Sequence, residues 1–508
     1  MQIQARYRNF NPRQIVSLLV VGVLAWVSAT AAVGAVIEID DPAIRNAVEN
    51  QFLSDFVVPL NDIDVVSKEG VVSLQGEVDD LLTQERAADI AGTVRGVRAV
   101  VNRIQVVPSV LRTDKEIERD AEKALYDDPA TESYEVEVDV EDNRVTLTGT
   151  VDSWQERLLA EKVAKGVQGV VEINNSLTVR PPKARSDVAI RADVEQVLKW
   201  DALVDHRTID ISVDNRTVRL VGTVGSPAEK NQAVMAAWVT GVVAVDDSEL
   251  EVKTRARDER TRESEFVVKS DDDIRKAVKD ALFYDPRVNI FQIDVSVDAG
   301  FVTLRGNVDN LKAKRAAEVD AVNTVGVLGV TNRIKIRSAK IEEEDIAENV
   351  SAALQRDPLV DRYEIDVNVI DRTVYLNGTV DNYYEKSRAD ELAAHVKGVV
   401  RVQNNLDVGD AYDPYVPDPY YDDWIFYDGE RYDYQAPITF KSDWKIKSEI
   451  ESELFWSPFV DEDDVDVTVE NGIATLTGTV DSMAERSTAE ANAFDGGAVL
   501  VNNELKIN

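Results

Sequence analysis

The chain has no cysteine, two histidines (His206 and His395) and three methionines in 508 residues. The missing cysteine excludes disulfides, thiolate nucleophiles, Cys-based zinc sites and a lipid-modified N-terminal cysteine. Two histidines give no basis for a His-rich metal centre within one chain. Basic residues are scarce beside acidic ones: 57 Lys and Arg stand against 94 Asp and Glu, a net charge of −37. That balance disfavours nucleic acid, which proteins grip with basic side chains on phosphates. It equally disfavours simple adsorption to anionic lipid, which uses polybasic patches. No nucleophile–base pair, phosphate-cradling glycine loop or metal spacing is present, so the expectation is a non-enzyme with no cofactor and no small-molecule substrate.

What the chain does have begins with an apolar run. Arg6, Arg8 and Arg13 precede an uncharged stretch from Gln14 to Ile37, with small residues at Ala29–Ala31 and Val33–Ala35. A basic start, an apolar core and a small-residue site describe a secretory signal. A run of ~20 apolar residues also spans a bilayer as an uncleaved anchor. Residues 1–36 therefore read as a signal peptide or membrane anchor, and the rest of the chain is expected to be exported.

The remainder repeats one unit six times. Aligning on the glycine of L-x-G-x-V gives Gly76, Gly149, Gly222, Gly306, Gly378 and Gly478. Each unit opens with an amphipathic segment, such as DDIRKAVKDALFYDP at Asp272–Pro286, with Ile274, Val278, Ala281 and Leu282 at helical spacing. Strict alternation follows, as in IDVSV at Ile293–Val297, the signature of a strand buried on one face. Turn residues such as Asp214-Asn215 and Asn471-Gly472 lead into the glycine-bearing strand. A capping box announces the second helix in four units, pairing Ser153 with Glu156, Ser226 with Glu229, Asn382 with Glu385 and Ser482 with Glu485. Inside that helix two alanines recur at i and i+4: Ala87/Ala91, Ala160/Ala164, Ala233/Ala237, Ala317/Ala321, Ala389/Ala393 and Ala489/Ala493. Small side chains on one helix face let its backbone sit close on a sheet. A third strand, such as VVNRIQV at Val100–Val106, closes the unit.

The expected fold class is α+β: six tandem two-layer domains, each α-β-β-α-β with two helices on one face of a three-stranded sheet, after an N-terminal signal or anchor helix. The expected bounds are 37–108, 112–180, 184–252, 266–338, 341–408 and 441–508, with a charged linker at 253–265 and a Tyr/Asp/Pro-rich insert at 409–440. The L-x-G-x-V strand, the Ala-spaced helix and the closing VNN strand resemble the BON domain of bacterial osmotically inducible and nodulation proteins. The third unit departs from that pattern, with Gly225 for the usual Asp and a closing segment that starts one residue early; the sixth is one residue short before its closing strand. The resemblance implies a non-catalytic periplasmic or membrane-attached module that contacts phospholipid.

The marker glycines read as structural, because a strand-interior glycine marks a bulge or a close backbone approach. Asp79, Asp152, Asp309, Asp381 and Asp481 stand three residues after the marker in five units. They read first as helix-start carboxylates facing the helix dipole and second as cation ligands bridging to lipid phosphate. The insert gathers Tyr412, Tyr415, Tyr420, Tyr421, Trp424, Phe426 and Tyr427 among acidic residues. It reads as a surface loop or as a patch for a partner, such as another envelope protein. Two functions remain open: an envelope protein touching phospholipid through repeated weak sites, in osmotic stress protection, and a scaffold presenting the aromatic insert.

Overall fold

Thr113 opens the first helix of the second unit, Asp114–Asp127: it accepts the N–H of Glu116, whose carboxylate accepts the Thr113 N–H at 2.9 Å. Ile117, Ala121 and Leu125 fall on one face of this helix and are buried. The strand Glu135–Glu141 alternates exposed acids with apolar residues and pairs antiparallel with Arg144–Val151. Between them Asp142 and Asn143 both take positive φ, 51° and 62°, the pattern of a tight hairpin turn. The second helix, Trp154–Lys165, crosses back, and the closing strand lies parallel to Arg144–Val151 in two pieces, Glu172–Asn175 and Thr178–Val179. The glycine-bearing strand is thus central, one helix-covered face is core, and the other face of the sheet meets solvent.

The computed structural model describes residues 39–55, 57–131, 135–180, 185–253, 269–288, 290–337, 341–360, 365–408 and 442–507. The expected signal or anchor segment, most of the charged linker and the aromatic insert lie outside the described residues. Within them the same α-β-β-α-β order appears six times. The first helices are Asp41–Ser54, Asp114–Asp127, Asp187–Trp200, Asp271–Tyr284, Glu343–Arg356 and Asp443–Trp456. The second helices are Leu81–Thr93, Trp154–Lys165, Pro227–Ala237, Leu311–Val322, Tyr383–Ala394 and Met483–Asp495. In the third unit the closing strand Ala244–Val252 starts one residue early, and an irregularity between Asp246 and Glu249 restores the register. No described helix is long and apolar enough to cross a membrane.

The capping residues behave differently from the expected reciprocal box. Ser153, Ser226, Asn382 and Ser482 each accept the N–H three residues on. The Glu carboxylate, however, accepts the N–H of the residue before the cap: Asp152, Gly225, Asp381 and Asp481. The cap residue is extended, with φ near −150°, which turns its own N–H away from the helix start. Glu229 and Glu485 also accept the N–H of Asp205 and Asp461, tying the second helix to the turn before the first strand.

Two further ties recur. An aspartate at the first position of the first helix accepts both N–H groups of its unit's hairpin turn: Asp41 from Glu69 and Gly70, Asp187 from Asn215 and Arg216, Asp443 from Asn471 and Gly472. An asparagine in the closing strand donates to a carbonyl of the second helix, as Asn102 does to Gln84 and Asn404 to Lys386.

The described residues from Ile39 onward belong to one compact body, joined helix to helix. Helix Leu81–Thr93 packs on Pro227–Ala237, Asp187–Trp200 on Asp271–Tyr284, and Glu343–Arg356 on Asp114–Asp127. Trp154 of the second unit stacks on Trp238 of the third, ring centroids 4.0 Å apart and 7° from parallel. Trp456 of the sixth unit packs against the core of the first, and Arg95 joins the same seam through Glu462 at 3.0 Å.

Candidate functional site at the junction of the units

The marker glycines sit in the central strands with φ between 124° and 154°. In Gly76, Gly149, Gly222, Gly306 and Gly478 a Cβ would overlap the carbonyl oxygen at the start of the neighbouring strand, that of Asp62, Glu135, Thr208, Gln292 and Asp464 respectively. All twelve recurring alanines are fully buried against their sheets. Asp79, Asp152, Asp309 and Asp381 are exposed, each on a different unit, and Asp481 is half-buried. No group of three or more His, Asp or Glu able to hold a metal ion occurs among the described residues. The structure therefore does not gather the five aspartates into one site.

A second recurring acid does reach a shared site. Asp55, Asp128, Asp201, Asp285 and Asp357 each lie 21 residues before the marker glycine, at the end of the first helix. In the first and fifth units an arginine of the same unit holds it: Arg86 donates to Asp55 at 2.6 Å and Arg388 to Asp357 at 2.9 Å. In the second unit Leu159 occupies the place of that arginine. Asp128 is held instead by Lys312 of the fourth unit, at 2.5 Å, with both side chains buried. Beside it Arg356 of the fifth unit reaches Asp127 at 3.2 Å. Ion pairs that recur within a unit are thus replaced here by pairs between units. Sequence reading missed this, although Leu159 at the place of Arg86 in the first unit and Arg388 in the fifth carries the signal.

Around these pairs the first five units enclose a cavity of about 390 Å³. Leu158, Leu159 and Val163 from helix Trp154–Lys165 supply part of an apolar wall, continued by Leu82, Met235 and Leu392. Five cations line it (Lys162, Arg287, Lys312, Arg356 and Arg388) against four acids, Asp127, Asp128, Asp285 and Glu391. In a chain of net charge −37 that is a local reversal of sign. His395 also lines the cavity, its Nδ1 4.0 Å from Asp128 and its Nε2 3.9 Å from Glu391, both beyond hydrogen-bond reach. Burial, with Lys312 and Arg388 nearby, pushes the imidazole well below its ordinary value, so it is neutral at pH 7. Burial lowers Lys312 too, against the pull of Asp128.

Six helix-packed α+β units define a tandem-repeat protein. The BON domain profile matches residues 40–108, 113–181, 186–254, 270–338, 342–410 and 442–508, and the chain belongs to the BON domain family. It is 33% identical over 139 residues to Osmotically-inducible protein Y of Escherichia coli (strain K12), a match covering 26% of this chain and 69% of that protein. Among solved structures it is similar to the C-terminal domain of CdsD, the structural protein of the Type III secretion system of Chlamydia trachomatis. That match is 16% identical and covers 43% of this chain and 90% of the other. Its TM-score is 0.12.

Proposed function

We propose that this is an exported, non-catalytic cell-envelope protein, protective in osmotic stress, that contacts phospholipid through repeated weak sites on its outer surface. The observation that carries the reading is the family itself, present in six copies that together make up nearly all of the chain after the N-terminal apolar segment. The name of the Escherichia coli relative supports the link to osmotic stress, and the basic-then-apolar start supports export. Repetition suits weak binding, because linked sites raise avidity without any new contact.

The outward sheet faces are acidic, as with Glu135, Glu137, Asp139 and Glu141, so attraction to anionic headgroups cannot drive contact. Contact then runs through apolar and backbone groups or through a divalent cation shared by carboxylate and phosphate. Asp79, Asp152, Asp309 and Asp381 are the exposed carboxylates proposed for that bridge. Liposome co-sedimentation of the full chain tests this, with neutral and anionic vesicles, with and without calcium. Binding that survives high salt, or that requires calcium, supports the reading. Binding only to anionic vesicles, without calcium and lost in salt, contradicts it.

A second reading is a periplasmic scaffold, which the burial of cations at unit junctions favours because it leaves an acidic exterior. In that case the partner is another envelope protein, and Tyr412, Tyr415, Tyr420, Tyr421, Trp424, Phe426 and Tyr427 are the proposed patch. Failure to sediment under every condition, by a chain shown to be folded, selects it.

A further inference from the structure

One outward sheet face, that of the fourth unit, breaks the acidic pattern. Its closing strand Gly329–Ile336 is an outer strand of the sheet and runs parallel to Phe301–Val308. Arg333 and Lys335 are exposed at alternate positions on it, and Arg337 continues the ladder by donating to the Val308 carbonyl at 2.8 Å. Arg305 stands opposite Arg333 in the register, so four exposed cations share one face. Against them that face sets Asp294 and Asp298. None of the four cations is in an ion pair among the described residues; Arg305 donates to the Ser296 hydroxyl at 3.1 Å. Like charges directly opposite on a ladder are destabilising, so folding alone gives no reason for Arg305 beside Arg333. Phe301, on the same face, is 58% exposed, and arginine and aromatic side chains are the ones enriched at protein interfaces.

The second unit presents the complement. Glu135, Glu137, Asp139 and Glu141 take alternate, exposed positions on Glu135–Glu141, an outer strand of its own sheet. Thr150, Thr148 and Thr146 stand opposite the first three, so their cross-strand neighbours do not neutralise them. Both rows repeat every two residues, ~6.6 Å along the parallel strand and ~6.8 Å along the antiparallel one. The acidic row therefore stays in step with Arg333, Lys335 and Arg337. Both faces lie on the outside of one compact body, so they meet only between two copies.

We infer that the basic face of the fourth unit docks on the acidic face of the second unit in another copy of this chain. The contact is head to tail, because the two patches differ, and each added copy leaves one free face of each kind. It goes beyond the contact with phospholipid and does not depend on it. Three strands of eight residues give a face of roughly 26 Å by 14 Å, far below the ~800 Å² per partner of a standard interface. Association is therefore weak. The net charge of −37 opposes it at long range, over ~30 Å in 0.01 M salt but only ~10 Å in 0.1 M. Association should rise between those two salt concentrations, then fall at 1 M, where screening acts over ~3 Å.

Sedimentation equilibrium of the full chain at the three salt concentrations tests the proposal, together with two charge-reversed variants. Arg333→Glu with Lys335→Glu should weaken self-association by at least about tenfold. Glu137→Lys with Asp139→Lys should do the same, although it makes the chain less acidic and so cannot act through net repulsion. All four residues are exposed, so both variants keep their fold. A mixture of the two should associate again, because one variant retains the acidic face and the other the basic face. No association up to about 1 mM, or association that only strengthens as salt rises, overturns the assignment. Association unchanged in either variant, or a mixture no more associated than its components, overturns it equally.

Discussion

The carboxylate of Asp443 accepts the N–H of Gly472 at 2.8 Å, and that of Asn471 at 2.9 Å, joining the start of a helix to a hairpin turn nearly thirty residues on. The same clamp recurs with Asp41, Asp114, Asp187 and Asp271. It fixes the turn against the first helix. Asp443→Ala should speed amide exchange at Asn471 and Gly472 by about tenfold, the equivalent of one net hydrogen bond. Unchanged exchange at both amides would show that the turn holds itself.

Gly149→Ala should destabilise the chain by about 1–3 kcal/mol, because φ is 131° and a Cβ would strike the carbonyl of Glu135. Gly92→Ala supplies the contrast. Gly92 lies in a helix and an added Cβ would meet Pro227 at an ordinary 3.6 Å, so this change should stabilise by about 0.5–1 kcal/mol. Denaturant unfolding of the two variants reads both signs.

Ala164→Leu should cost about 1–3 kcal/mol by overpacking, because Ala164 is 0% exposed under the sheet of its unit. A melting temperature equal to that of the unmodified chain would mean that the helix can lift from the sheet without penalty.

At the seam of the first and sixth units, burial and the nearby carboxylate of Asp495 push Glu453 up to about 7. Its folded value lies above its unfolded one, so folding favours the protonated form. The destabilisation is full above pH 7 and is relieved as pH falls from about 8 toward the ordinary glutamate value near 4.5. Glu453→Gln should therefore stabilise the chain at pH 8 and have little effect at pH 5, as read by melting curves at the two values. Equal effects at both would show that Glu453 is solvated.

The repeat, the strand order and the paired alanines are legible in the sequence because each rests on a local rule repeated six times. The aspartate clamp is not, since an acid at a helix start reads first as a dipole or cap residue. Nor is the arrangement of the units. The residue six past the marker glycine shows why: it is Leu82, Gln155, Ala228, Lys312, Tyr384 and Ala484 in turn. Four of these meet other units: Leu82 lines the shared cavity, Gln155 donates to the Trp238 carbonyl, Lys312 holds Asp128, and Tyr384 lies 4.1 Å under Arg86. Each copy faces a different neighbour, so the position varies where the core repeats. Variation within a periodic frame marked the interfaces, and only the structure says which neighbour each residue meets.

The central claim is that the six units are one body joined through their helices, and the Asp128–Lys312 pair tests it most directly. A double-mutant cycle with Asp128→Asn and Lys312→Met compares the unfolding free energies of the full chain, both single variants and the double variant. The residues lie in different units 184 positions apart, so only packing between units can couple them. The account predicts an interaction energy of about 0.5–3 kcal/mol. Effects that add to within about 0.5 kcal/mol would show units tethered as independent beads, and would contradict it.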